Sequence, residues 1–330
     1  MSGTAGWGSG GWIDGVPREP LDEAARGADD LPRTLRWVPG DGVVQRPVFD
    51  PALKHHRNAY RATDPRFADP ARDDSWRAAR RRALDLVLAA VADSEWVDAL
   101  VLRGSVLMSA WFGDAAREPG DLDFVVVPHT WRIDDGRTGR MLSGIAEAAQ
   151  ATADARGPGV GISARGAVVE DIWTYDRVPG RRMVLPWGAP GLPGGHVQLD
   201  FVFNEKLPEA PEPVELPGGA VVQAATPGLS LAWKLMWLLT DVHGQGKDLY
   251  DAVLLAERYP LRHALLHEVF RLSGEWPYPY REQVLLEDVV EAVREVEWEH
   301  FVTEYPRFKD AEQEFVDRLV RAVTPAFTRD

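Results

Sequence analysis

Cysteine is absent from the 330-residue sequence, which excludes disulfides, thiolate nucleophiles and cysteine-ligated zinc. Long apolar runs are also missing. No stretch of about 18 apolar residues occurs, so no membrane span is expected. The opening MSGTAGWGSGGW has neither the basic start nor the apolar centre of a signal peptide, and a cytoplasmic location is the expectation. Positive charge is in deficit, with 37 Lys and Arg against 51 Asp and Glu, a formal charge of −14. A protein that tracks long nucleic acids needs a basic stripe to displace counterions. A nucleic-acid partner of this chain therefore has to meet a local basic groove, or be small.

The hydrophobic content is 45% and the charged content 27%, ordinary for a globular chain. The length suits one large domain or two smaller ones. Residues 1–50 are rich in Gly, Pro and acidic residues without a lasting period, and read as a disordered or loosely attached arm. Trp76, Ala83, Leu84, Val87, Leu88 and Val91 recur at helical spacing, predicting a helix over 75–93 capped by Asp73, Asp74 or Ser75. WVDALVLRG (96–104) reads as a strand, SVLMSAWFG (105–113) as a short helix and DLDFVVV (121–127) as a second strand stopped by Pro128. A helix is expected over 138–156, two or three strands within 160–187 and a further strand over 196–203.

The stretch 206–219 holds four prolines and reads as a linker. Beyond it the pattern is helical, over 228–240, 246–258, 261–272, 281–297 and 310–323. The expected organisation is α+β: an α/β domain over 51–206, a linker and edge segment over 207–226, and a helical domain over 227–330.

The chemistry concentrates on three acids. Asp121 and Asp123 are two apart on a strand, so both project to one face while Leu122 turns to the core. Two carboxylates this close repel unless a cation lies between them, and Mg²⁺ prefers such hard oxygen ligands. Asp200 stands in the apolar strand VQLDFVF, where a buried charge needs a partner. A third metal-facing acid explains it, and so does an ion pair with an arginine. One or two Mg²⁺ ions on such acids can activate a hydroxyl and stabilise leaving pyrophosphate. Upstream, Gly104-Ser105 marks a strand-to-helix junction. Glycine admits a phosphate close to the backbone, and the helix start offers free N–H groups. The same dipeptide also serves as a plain helix cap.

Gly104-Ser105, then Asp121-Leu122-Asp123, then Asp200 in an apolar strand resembles the polymerase-β-type nucleotidyltransferase superfamily. The wording is similar to one branch, the AbiEii/AbiGii toxin family. LRGSVLMSAWFG (102–113) resembles its first motif and Arg117 before DLDF its second. Lys234 in LAWKLMWLL (231–239) and the segment KDLYDAVLL (247–255) resemble its third and fourth. The likeness covers about residues 96–258.

It implies a polymerase-β-like mixed sheet with flanking helices and a helical C-terminal half. It also implies roles: Ser105, with Gly104 and Arg117, at the nucleotide; Asp121 and Asp123 on Mg²⁺, with Asp200 less uniformly required in relatives; Lys234 against phosphate charge; Asp248 and Asp251 shaping the nucleotide site. Many relatives place a hydroxyl residue where this chain has Pro119-Gly120. The implied activity is transfer of an NMP from an NTP to an acceptor hydroxyl. The protein would be the toxin of a type IV toxin–antitoxin pair, with RNA, tRNA among the candidates, as acceptor and a cognate antitoxin as partner. Two other readings stand beside it: a nucleotidyltransferase acting on a cationic small molecule such as an aminoglycoside, which the negative charge would attract, and a non-catalytic nucleotide- or protein-binding module.

Lesser signals remain. Lys234 is the only basic residue of its apolar helix and needs a distant anionic partner. Asp248 and Asp251 share a helix face, with a helix cap and an exposed acid as their plain readings. His263 and His267 have metal-compatible spacing but lack a third ligand. The turn His243-Gly244-Gln245-Gly246-Lys247 reads equally as a nucleotide contact and an interhelical loop. Arg77, Arg80, Arg81 and Arg82 read as a solvated basic face, and Trp233, Trp237, Trp276 and Trp298 as packing.

Overall fold

Alternating side chains decide how the central strands are used. In DLDFVV, Leu122 and Phe124 are fully buried while Asp123 points to the opposite face. In the later strand Leu199 and Phe201 are buried on the same side as those two, and Phe124 and Phe201 stack at 5.7 Å. The computed structural model describes residues 22–174 and 178–328.

It begins with helix α1 (Glu23–Ala28) and four short strands, β1 (Val43–Val44), β2 (Pro47–Phe49), β3 (Tyr60–Ala62) and β4 (Arg66–Phe67). β2 pairs with β3 and β1 with β4, as two small antiparallel ribbons. Helix α2 (Pro70–Ala92), β5 (Leu100–Arg103), α3 (Ser105–Phe112), β6 (Leu122–Val126) and α4 (Gly136–Ala155) follow. Then come β7 (Gly161–Ile162), β8 (Val168–Thr174), β9 (Val178–Gly188), β10 (Gly195–Val202), β11 (Glu212–Glu215) and β12 (Val221–Ala224). The chain ends in α5 (Pro227–Thr240), α6 (Gly246–Arg258), α7 (His263–Ser273), α8 (Leu286–Ala292), α9 (Trp298–Glu304) and α10 (Glu312–Phe327).

The main sheet has the order β11-β12-β5-β6-β10-β9-β7, with β8 also paired to β9. It is mixed: β6 runs parallel to β10 and antiparallel to β5. Helices α2 and α4 pack on each other and reach the sheet through β10, β12 and β7. One apolar core runs from Trp76 in α2 through the sheet to Val323 in α10. The fold is α+β, as expected.

Four expectations need correction. The loose arm over 1–50 does not hold for its described part, and residues 1–21 lie outside the described residues. From Asp22 on, the segment packs: Leu31, Leu35, Val38 and Val48 are buried, and Glu170 of β8 accepts bonds from the Arg33 and Thr34 amides and the Thr34 hydroxyl. Its apolar residues are too sparse to show a period, and tertiary contacts order it. Helix α2 starts earlier, at Pro70 behind the cap Asp69, because a proline in the first turn has its φ already set for a helix. The linker over 206–219 contains β11, half of a hairpin with β12. Pro213 is tolerated there because β11 is the edge strand, where a missing N–H breaks no ladder. Finally, 281–297 is not one helix. α8 ends at Ala292, and the chain turns so that the Glu297 amide bonds the Gly244 carbonyl before α9 begins.

Candidate active site

Register builds the acid centre. Asp123 on β6 lies opposite Asp200 on parallel β10, so both carboxylates leave the same face side by side. Asp121 immediately precedes β6 and joins them. One oxygen from each acid falls within 4.8 Å of the other two, the only such cluster of possible metal ligands among the described residues. Burial, with Asp121 and Asp200 beside it, raises the Asp123 carboxyl to about 7. Burial also raises Asp200. Asp121 behaves oppositely. Burial works against its charge, but the combined fields of Lys247, Arg117, Arg61 and Arg182 outweigh it and hold Asp121 below the ordinary carboxylate range. Three crowded carboxylates sharing a proton are what a divalent cation would relieve. The all-oxygen donor set suits a hard ion such as Mg²⁺ better than a thiophilic one.

Asp200 joins the acid cluster and forms an ion pair with an arginine as well. It faces its two fellow acids, and Arg182 grips it with two bonds, Nε to Oδ1 at 2.9 Å and Nη2 to Oδ2 at 2.8 Å. The third donor of Arg182, Nη1, bonds Asp50 at 2.6 Å.

The Gly104-Ser105 turn closes against the centre. Gly104 adopts φ +81°, and a Cβ there would sit 2.3 Å from Asp123 Oδ2, so only glycine fits. Ser105 is fully buried. Its hydroxyl lies 3.3 Å from Asp121 Oδ1 and accepts from the Gly120 amide at 3.3 Å. The side chain implied to meet the triphosphate thus also positions an acid, while the first N–H groups of α3 remain without intrahelical partners. The Pro119-Gly120 turn is held from behind: Arg80 donates to the carbonyls of Pro119 at 2.6 Å and Gly120 at 2.8 Å. The expected solvated basic face is thus partly structural. Arg80 is buried, while Arg77 pairs with Asp73 and Arg81 with Glu118.

Lys234 finds the distant anions it requires. Its Nζ lies 2.6 Å from Asp248 and 3.0 Å from Asp251. Arg117 grips Asp251 from the other side, Nε to Oδ1 at 3.1 Å and Nη2 to Oδ2 at 3.0 Å. Asp251 is fully buried rather than exposed, and Gln245, not Asp248, is the cap residue of α6. These four form one closed network. Burial disfavours the Lys234 charge, yet the two aspartates outweigh it and raise its pKa.

Several residues around the centre carry no local sequence signal. Asp50 ends the segment read as a loose arm, and Arg61 lies beyond it in a stretch to which no helix or strand was assigned. Arg61 pairs with Glu304 of α9 through two bonds at 3.0 and 2.7 Å. Arg103 pairs with Glu205 at 2.7 Å and lies over the rings of Trp233 and Trp237. Such pairings join positions far apart in the chain. Only a charge at the end of an apolar strand, as at Arg103, could have hinted at them.

The lesser signals settle into packing. His263 lies edge-on to Phe327 and His267 against Trp276, and neither belongs to a metal-type cluster. Trp233 and Trp237 stack on each other, Trp276 on Phe270, and Trp298 lies against Phe301. His243 is tied to Glu297 at 2.5 Å. No helix among the described residues is long and apolar enough to cross a membrane.

A mixed sheet that gathers three carboxylates beside a glycine-led helix start defines an α+β protein with a candidate metal-assisted phosphate-chemistry site. A family model described as "Nucleotidyl transferase AbiEii toxin, Type IV TA system" matches residues 86–327, and the chain belongs to that family. The match contains the three acids, Gly104-Ser105, Arg117, Lys234 and α6. No curated protein matches the chain.

Proposed function

We propose that this chain is a cytoplasmic Mg²⁺-dependent nucleotidyltransferase that moves an NMP from an NTP to an acceptor hydroxyl on RNA, with tRNA as the first candidate, and that a cognate antitoxin restrains it. The observation that carries the reading is the convergence of Asp121, Asp123 and Asp200 within 4.8 Å beside the Gly104-Ser105 turn. Asp121, Asp123 and Asp200 would hold the metal, which when bound supplies charge stabilisation at the phosphate and acidifies the attacking hydroxyl.

The chain's own groups account for the rest. Gly104 lets a phosphate approach the backbone, and the N–H groups opening α3 donate to its oxygens. Ser105 and Arg80 fix the turn that carries Asp121. Asp200, held in place by Arg182, is the acid assigned to take the acceptor's proton. The acceptor oxygen bonds to the α-phosphorus, the bond from that phosphorus to the bridging oxygen breaks, and pyrophosphate leaves.

Incubation with NTPs labelled at the α- or the γ-phosphate, with total tRNA or an aminoglycoside panel, tests this. Label should pass from the α-position to tRNA and not from the γ-position, and Asp121→Ala and Asp123→Ala should abolish it. Label on the aminoglycosides alone moves the reading to a small-molecule enzyme. No transfer to any acceptor leaves a binding module.

A further inference from the structure

All but one of the cations whose charge reaches the acid centre can be matched to the anion that holds them. Arg182 is shared by Asp50 and Asp200. Arg117 is spent on Asp251, and Lys234 on Asp248 and Asp251. Arg61 is spent on Glu304 and Arg103 on Glu205. Lys247 is different. It is partly exposed, and among the described residues its ammonium forms no hydrogen bond and no ion pair within 4.0 Å.

Its position sharpens the contrast. Lys247 is the second residue of α6, where the helix dipole opposes a positive charge. The backbone there is pinned. A Cβ on Gly246 would meet Phe301 at 2.8 Å and Trp298 at 2.9 Å, and Asp248 is already bound to Lys234. The ammonium is thus the first side chain of α6 not committed to packing. One helical turn on, on the same face of α6, Asp251 is gripped by Arg117, just upstream of Asp121, and the Lys247 charge acts on Asp121, Asp123, Asp50 and Glu304. A cation held near carboxylates yet bonded to none is placed for an anion that arrives.

We propose that Lys247, and not the buried Lys234, is the side chain that receives the triphosphate of the incoming nucleotide. This rests on the nucleotidyl-transfer reading above. Lys234 then serves to hold α5 to α6, with its charge already neutralised by two aspartates.

The test compares the parent chain with Lys247→Ala, Lys247→Arg and Lys234→Met. ATP, GTP, CTP and UTP, and their monophosphates, are titrated in Mg²⁺, and KM and kcat are measured for transfer. For Lys247→Ala, affinity for the preferred triphosphate should fall about tenfold or more, the scale of one charge-assisted hydrogen bond. Monophosphate affinity and melting temperature should stay near the parent values, and Lys247→Arg should recover most of the loss. A lysine that merely offsets the acid cluster would change Mg²⁺ affinity without changing the preference for triphosphate over monophosphate. If the parent transfers label and Lys247→Ala does so with unchanged KM, the assignment of Lys247 is overturned while the enzymatic reading stands. If the parent binds no triphosphate at all, both fall.

Discussion

Replacing Asp123 by asparagine should stabilise the metal-free protein while destroying its response to Mg²⁺. Asp123 faces Asp121 and Asp200 within 4.8 Å, and without a cation its carboxyl keeps its proton to about pH 7. The same side chain ionises near its ordinary value of 3.8 once the chain unfolds. Between these limits the folded state holds the extra proton, so rising pH removes stability over about pH 4 to 7 and the loss is complete above it. The displacement from 3.8 to about 7 corresponds to roughly 4 kcal/mol at about 1.36 kcal/mol per pH unit. Water reaching a partly exposed cluster screens this to on the order of 1–3 kcal/mol. Asparagine keeps the shape and removes the charge. Denaturant unfolding in chelator at about pH 8 should therefore show Asp123→Asn more stable than the parent by that amount. The difference should shrink toward zero near pH 4. Adding Mg²⁺ should raise the parent and leave the variant unchanged, and label transfer by the variant should vanish. A variant no more stable than the parent at about pH 8, or a difference that does not depend on pH, would refute the account of three acids crowded around an absent charge.

The remaining expectations are more local. Gly104→Ala forces a left-handed backbone on a residue with a Cβ and drives that Cβ to 2.3 Å from Asp123. It should lower the melting temperature and abolish stabilisation by Mg²⁺; a variant that melts like the parent and still responds to the ion contradicts the geometry. Lys234→Met leaves Asp248 buried without its cation, a loss of about 3–5 kcal/mol. The double variant Lys234→Met with Asp248→Asn should regain much of it, and equal stability of single and double variants in denaturant titration would show that the pair is not coupled.

What could be read from the order of residues, and what could not, follows from the range of the forces involved. The spacing of Asp121 and Asp123 and the apolar setting of Asp200 are local patterns, and strand alternation turns them into one face. The helices after residue 226 were likewise legible where apolar residues kept a helical period, as in α5 and α6. The pairing of Lys234 with Asp248 and Asp251 was foreseeable only as a need for some anion, since the partners come from how α5 packs on α6. Arg80 looked like one cation of an exposed stretch, yet its two carbonyl partners lie about forty residues on. Asp50 and Arg61 were invisible, because short ribbons of two or three residues leave no period to detect. The break between α8 and α9 leaves no mark in the sequence for a related reason. Val289, Val293 and Val296 are all buried, so the apolar pattern continues while the backbone turns.

The ribbon of β2 and β3 works as a bolt shot across two leaves of a door. Asp50, just past β2, is fastened to Arg182 on β9, while Arg61 on β3, with Arg66 of the neighbouring β4, is fastened to Glu304 at the end of α9. All of it lies upstream of residue 86, where the family match begins. A fragment trimmed to 86–327 would keep every acid of the centre and still be a different object. Arg182 would have only Asp200 to answer it, and Glu304 would lose both its arginines. A segment outside the family match thus also fastens the acid-bearing sheet to α9.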